Sequence, residues 1–300
     1  MKVIIAGASG FLGQALQREL IADGHRVSVL VRRPAQSATE IEWHPDQRLL
    51  EPDALVGTDA VIGLSGAGIE GRRWNPAYKK LLRDSRVDTT TTIANALAAL
   101  DDPRRPTVFV SASAVGYYGE RGDDVLDETA ERGEGFLADL VAEWEGATQA
   151  AADAGVRVVT TRTGLVLAAS GGLLKRLLPI YKAGIGGKLG SGRQYQSWIS
   201  LADELGAIRH ILQTHSISGP VNLTGPEPVR NAEFSKALGA ALHRPALFPT
   251  PVFGIRLVLG EFADQGALAS ARVVPSVLLK SGYQFQHSDV RSALAWAVAH

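Results

Sequence analysis

Twelve residues at the amino terminus, Lys2–Gly13 (KVIIAGASGFLG), limit the fold more than any other stretch of the chain. Val3–Ala6 are apolar or small and predict a short buried strand. Gly7, Gly10 and Gly13 follow, and Gln14–Ala22 predicts a helix with Ala15, Leu16, Leu20 and Ile21 on its buried stripe. A glycine triplet between strand and helix has a mechanical meaning. The first glycine allows a tight turn, the second lets a pyrophosphate approach the backbone, and the third lets helix pack on strand. The helix N-terminus then offers unpaired N–H groups and the positive end of its dipole to the anion. The expected dinucleotide contacts in this turn are Gly7, Ser9, Gly10, Phe11, Leu12 and Gly13. A plain strand-to-helix turn is the competing reading, since glycines punctuate those too.

Gly24 predicts a stop, and Arg26–Val31 a second strand ending in Arg32, Arg33 and Pro34. An acidic residue there would take a ribose 2′-OH, whereas two arginines suit a 2′-phosphate, which favours NADP(H) over NAD(H). Further strands are predicted over Glu40–Trp43, Asp59–Leu64, Pro106–Ser111 and Val156–Thr161. Helices are predicted over Thr89–Leu100 and Phe136–Ala152, and a solvated basic helix over Glu70–Arg86. Strand and helix alternate through residues 1–165, which predicts an α/β, Rossmann-like doubly wound parallel sheet binding NADP(H). Ligands in such sheets lie beyond the carboxyl ends of the strands, and Leu64, Ser65, Gly66 and Ser111 fall there.

Past Gly164 the alternation loosens. Residues 166–300 read as a smaller C-terminal lobe that covers the substrate and is partly interwoven with the sheet. It has helices over Leu201–Leu212, Ala232–Leu242 and Phe253–Leu259 and short strands at Val221–Leu223 and Tyr283–Phe285. Lys+Arg and Asp+Glu both number 31, so no net field gathers nucleic acid or an acidic membrane surface. There is no cysteine, hence no disulfide and no thiolate nucleophile, and the histidines lack metal-ligand spacing. No run of eighteen apolar residues and no secretory leader pattern appears. These features predict a cytoplasmic protein with a small-molecule substrate, no metal, and no nucleic-acid or membrane partner.

Several runs together, GASGFLG (7–13), RRWN (72–75), SRVDTT (85–90), SASAVGYYG (111–119), GSGRQYQSWI (190–199) and PVFGIRLVLGEFAD (251–264), resemble one group of proteins nearly end to end. They are similar to the extended short-chain dehydrogenase/reductases. More narrowly they resemble the atypical branch of predicted nucleoside-diphosphate-sugar epimerases (YfcH-like) with a C-terminal extension. The resemblance implies NADP(H) lined by Arg32, Ser65, Arg86 and Leu165. It also implies oxidoreductase or epimerase-like chemistry on a small polar substrate, with a nucleotide sugar as one candidate.

The superfamily's hydride chemistry uses a Ser, a Tyr, and a Lys four residues after the Tyr, so that the phenol exchanges a proton with the substrate oxygen. Ser113 stands at the place of that Ser, with Ser111 as the alternate. None of the chain's six tyrosines is followed by Lys at that spacing, and no Lys occurs between Lys80 and Lys175. Tyr117 and Tyr118 are the phenols nearest in sequence to Ser113, with a packing role as the competing reading. Asp139, Glu143 and Glu145 are expected to face solvent, with Glu145 the one able to turn inward. Lys188 and Arg193, on a glycine-rich loop, are candidates for an anionic substrate, and Trp74 and Trp198 for stacking walls. The missing Tyr–Lys pair keeps a second reading open, a non-catalytic NADP(H)-binding regulatory protein.

Overall fold

The computed structural model describes residues 1–70 and 72–300. Seven strands form the central sheet: β1 (Lys2–Ala6), β2 (Arg26–Val31), β3 (Glu40–Glu42), β4 (Ala60–Gly63), β5 (Val108–Ala114), β6 (Arg157–Thr163) and β7 (Gly219–Leu223). Every pairing among them is parallel, in the order β3-β2-β1-β4-β5-β6-β7. The order reverses between β1 and β4, which is the place where a doubly wound sheet opens a crevice for a ligand. The register sets Ala6 beside Leu30 on one side and beside Gly63 on the other, and Ser113 beside Arg162.

The principal helices are α1 (Phe11–Ala22), α2 (Pro76–Ala98), α3 (Phe136–Gly146), α4 (Gly172–Lys182), α5 (Leu201–Gln213), α6 (Asn231–Ala241), α7 (Val252–Leu259) and α8 (Val290–Ala299). Strand alternation divides the core between two faces. Val3 and Ile5 pack with Leu16 and Leu20 of α1 and Ile208 of α5, while Ile4 and Ala6 pack with Ile93 and Leu97 of α2. Both faces are covered, as a parallel sheet requires. A third cluster, with Leu174, Leu178, Trp198, Phe234 and Leu294, holds the C-terminal lobe together.

Several sequence expectations are corrected here. Ile21 is 53% exposed, because it lies a third of a turn beyond the buried stripe of Leu16 and Leu20. The basic segment expected over Glu70–Arg86 includes Gly71, which lies outside the described residues. From Pro76 onward that segment runs unbroken into the alanine-rich one as the single helix α2. The helix expected over Phe136–Ala152 breaks after Gly146 and resumes at Gln149–Asp153. Tyr283–Phe285 is not a strand; Tyr283 and Phe285 stack edge to face at 4.9 Å and pack on the core near α5. No helix among the described residues is long and apolar enough to cross a membrane.

Candidate functional site

At the carboxyl end of β1 the turn closes with the Gly10 N–H donating to the Gly7 carbonyl at 3.0 Å. Gly7 has φ +80°, and a Cβ there would lie 2.7 Å from the Leu64 carbonyl carbon. A Cβ on Gly13 would lie 2.3 Å from the Gly7 oxygen, so α1 can approach the β1 turn only because Gly13 lacks a side chain, as Gly7 must to lie against the end of β4. Ser9 and Gly10 are exposed at the rim, Phe11 and Leu12 are half-buried, and Phe11 is capped by the backbone at Gly171. The opening of the turn and its free N–H groups fit a dinucleotide pyrophosphate.

At the end of β2, Arg33 is committed to Glu40, donating from Nη1 and Nη2 at 2.9 and 2.6 Å. That ion pair raises the Arg33 pKa and lowers that of Glu40. Arg32 is exposed and makes no ion pair among the described residues. Of the two arginines, Arg32 is therefore the one free to meet a phosphate.

Leu64, Ser65 and Gly66 continue the edge beyond β4. Arg86, from α2, reaches this turn with its guanidinium against Gly66, donating from Nη2 to the Ala67 carbonyl and from Nη1 to the Leu82 carbonyl, both at 3.0 Å. The group lies 5.2 Å from the Trp144 ring centroid and has no carboxylate partner among the described residues. Burial pulls its pKa down to about 10, so it stays charged at neutral pH. A shielded cation held only by carbonyls and a ring is arranged to receive an anion or a polarised oxygen.

Beneath the ends of β5 and β6 lies a buried polar network. Arg162 donates to both oxygens of Glu145, at 2.8 and 2.9 Å, and Ser113 donates to the same carboxylate at 2.5 Å. Burial alone would lower the Arg162 pKa; the hydrogen bonds and charge of Glu145 raise it well above its ordinary value. Arg162 also donates to the Tyr118 hydroxyl at 3.0 Å, and that hydroxyl donates to Asn222 Oδ1 at 2.8 Å. Burial raises the Tyr118 pKa against the opposing pull of Arg162. Tyr118 is fully buried and stands behind the site as a structural link. Tyr117 lies with its ring 3.5 Å from the Arg162 guanidinium, packed against Tyr118, and its hydroxyl makes no hydrogen bond among the described residues. Ser111 is buried within β5. Glu145 does turn inward, whereas Asp139 and Glu143 pair outside with Arg132 and Arg83.

A cavity of about 650 Å³ opens where this edge ends, with Arg86, Ala114, Gly164 and Leu165 among its lining and the C-terminal lobe as its roof. Helix α3, where the superfamily's Tyr and Lys would stand, presents Leu137, Leu140, Val141 and Trp144 to it. The four residues expected at a polar substrate lie elsewhere. Lys188 and Arg193 are exposed and line no part of this cavity. Trp198 is fully buried in the lobe's core, its Nε1 donating to the Glu227 carbonyl at 2.9 Å, and is not free to stack on a ligand. Trp74 packs on Phe136 and Phe262 with its Nε1 bonded to the Ile69 carbonyl, behind the cavity wall.

Sequence reading did not single out Arg162 or the apolar lining. One signal was available for Arg162: it interrupts a β-branched run, and an arginine in a buried strand requires a carboxylate partner.

Comparison with known proteins agrees with this layout. Residues 3–223 match the NAD dependent epimerase/dehydratase family, and residues 250–297 match a domain of unknown function, DUF1731. Epimerase family protein Mb2239 of Mycobacterium bovis is 46% identical over 295 residues, covering 98% of this chain and 97% of its own. Epimerase family protein SDR39U1 of Homo sapiens is 34% identical over 302 residues and the full length of both. A crystal structure of human SDR39U1 (isoform 2) with NADPH superposes with a TM-score of 0.91 at 32% identity, covering both chains completely. The chain belongs to the NAD dependent epimerase/dehydratase family, on an extended short-chain dehydrogenase/reductase fold with the DUF1731 extension.

Proposed function

We propose that this protein is an NADP(H)-dependent oxidoreductase of the extended short-chain type. In this reading the cofactor lies along the carboxyl edge from Arg32, across the turn at Gly7–Gly13, to Ser65, Arg86 and Leu165. Bound NADPH supplies a hydride. The observation that carries the reading is the continuity of that edge with a largely apolar cavity: a reactive ring at Leu165 would face a space lined mostly by hydrocarbon side chains. The solved relative with NADPH bound supports the choice of cofactor. Arg86 is positioned to hold an anionic or carbonyl oxygen at the junction. Ser113 could pass a proton only by giving up its hydrogen bond to Glu145.

Arg32→Ala is expected to weaken NADPH binding by about tenfold to a hundredfold, the loss of one charge-assisted contact, and to leave NADH binding almost unchanged. Titration of cofactor fluorescence measures both; equal losses would remove Arg32 from phosphate recognition. A second reading, cofactor binding without turnover, is favoured by the apolar face that α3 presents. Transfer of deuterium from C4-labelled NADPH to an added ketone supports the enzyme, and tight binding with no transfer to any carbonyl compound supports the second reading.

A further inference from the structure

We infer that the cavity takes a largely hydrocarbon molecule with a single carbonyl or hydroxyl end, and not a nucleotide sugar. The inference rests on the cofactor reading above for which end of the cavity is reactive. The cavity's volume falls within the roughly 300–1,000 Å³ that encloses drug-sized ligands. Its walls come from Leu140 and Val141 of α3, Leu173 and Leu177 of α4, and Ile255 and Leu259 of α7. These side chains return nothing to a desolvated sugar, whose hydroxyls would lose hydrogen bonds to water, and the polar lining residues Asn231, Gln265 and Ser197 are already bonded to backbone at Leu189, Leu137 and Ala271.

Charge points the same way. The diphosphate of a nucleotide sugar brings two negative charges that need cationic partners. The charged residues among the described lining are Arg86, Arg176 and Glu70. Glu70 faces Arg176 at 3.6 Å and also accepts from it through its backbone carbonyl at 3.1 Å, so only Arg86 is unopposed. The other cations expected to bind a diphosphate, Lys188 and Arg193, lie outside.

The interior also offers one unused acceptor. Gln196 lines the cavity, and its Oε1 is buried without a hydrogen-bond partner among the described residues. Arg86 can donate to a carbonyl oxygen and Gln196 can accept from a hydroxyl, so one oxygen function suffices to satisfy either group.

The entrance has the same character. Ile180 of α4 and Val258 of α7 line the cavity yet are 44% and 69% exposed. An apolar rim continuous with an apolar interior gives a hydrocarbon a route in without an aqueous gap.

The test is a thermal-shift and calorimetric titration of the full chain, saturated with NADPH, against 1-decanol, 2-decanone and UDP-glucose. The expected result is a concentration-dependent rise in Tm with decanol and decanone and none with UDP-glucose at the same concentration. Val258→Glu, at the exposed mouth where folding is not at stake, should weaken decanol binding about tenfold or more, because a carboxylate then borders the apolar path. Leu140→Glu should do the same from inside, and NADPH affinity should hold in both. Binding of UDP-glucose, no response to decanol or decanone, or decanol binding unchanged in both variants would each overturn the inference. NADPH affinity is read on the same samples: its absence removes the cofactor reading, while NADPH binding without a decanol response removes only this one.

Discussion

Replacing Arg162 by methionine is expected to lower the free energy of unfolding by about 3–5 kcal/mol, read as a fall in the urea midpoint at unchanged slope. Arg162 and Glu145 have side chains only 4% and 15% exposed, and their two parallel hydrogen bonds span β6 and α3. Removing the cation leaves a carboxylate with little water and only the Ser113 hydroxyl for company. It also removes a donor from the Tyr118 hydroxyl and the support under the Tyr117 ring. The double variant Arg162→Met with Glu145→Met should recover much of the loss, since the cost lies in the unpaired charge. Ser113→Ala, which removes one hydrogen bond and leaves the ion pair, should cost only about 1 kcal/mol. A loss below about 1 kcal/mol for Arg162→Met would show that the pair is not shielded as described.

Glu204→Gln is expected to stabilise the protein at neutral pH and to flatten its stability profile. Glu204, on α5, is 1% exposed; one oxygen accepts from Thr163 Oγ1 at 2.9 Å, and the other is buried without a partner. Burial pushes its carboxyl from 4.5 up to about 8, with the Thr163 hydrogen bond pulling weakly the other way. Between those values the folded chain keeps a proton that the unfolded chain releases. Stability is therefore greatest below pH 4.5 as far as this group is concerned, and is lost as pH rises toward 8. Through that window the slope is about 1.4 kcal/mol per pH unit. Glutamine keeps the acceptor for Thr163 and cannot ionise, so at pH 7 the variant should gain of order 3 kcal/mol over the parent. Urea midpoints at pH 4.5 and 7.5 measure the effect: the two proteins should nearly coincide at the lower pH and diverge at the higher. Parallel profiles would place a counter-charge or water at Glu204.

What the sequence disclosed follows from how local each signal was. The turn at Gly7–Gly13 needs only neighbouring residues to explain it, and its glycines sit where a Cβ would strike backbone. Strand and helix periodicity is equally local, so the parallel sheet was legible through β6. Helix α2 reads as two pieces in the sequence because threonines separate its basic and alanine-rich halves. In the fold, Thr89 and Thr92 sit buried with hydroxyls bonded to the carbonyls of Ser85 and Asp88, which lets them continue the helix. The cavity was not legible, because its walls come from α3, α4 and α7, more than a hundred residues apart from first to last. Lys188 and Arg193 on their glycine-rich loop, and Trp74 and Trp198 as stacking candidates, suggest a polar ligand by residue type alone. In the fold Lys188 lies over Gly192, Arg193 is exposed, Trp198 fills the lobe's core and Trp74 packs on Phe136 and Phe262. The solvent-facing position expected for Glu145 gives way to the inward one because its partner Arg162 becomes evident only when β6 is set beside β5.

A crystal structure of the protein with NADPH tests the central claim most directly. The account predicts the pyrophosphate against Gly7–Gly13, the 2′-phosphate within hydrogen-bond distance of Arg32, and the nicotinamide beside Leu165 at the inner end of the apolar cavity, near Arg86. A cofactor bound away from the carboxyl edge, or with its 2′-phosphate turned from Arg32 and its ring outside the cavity, would contradict it.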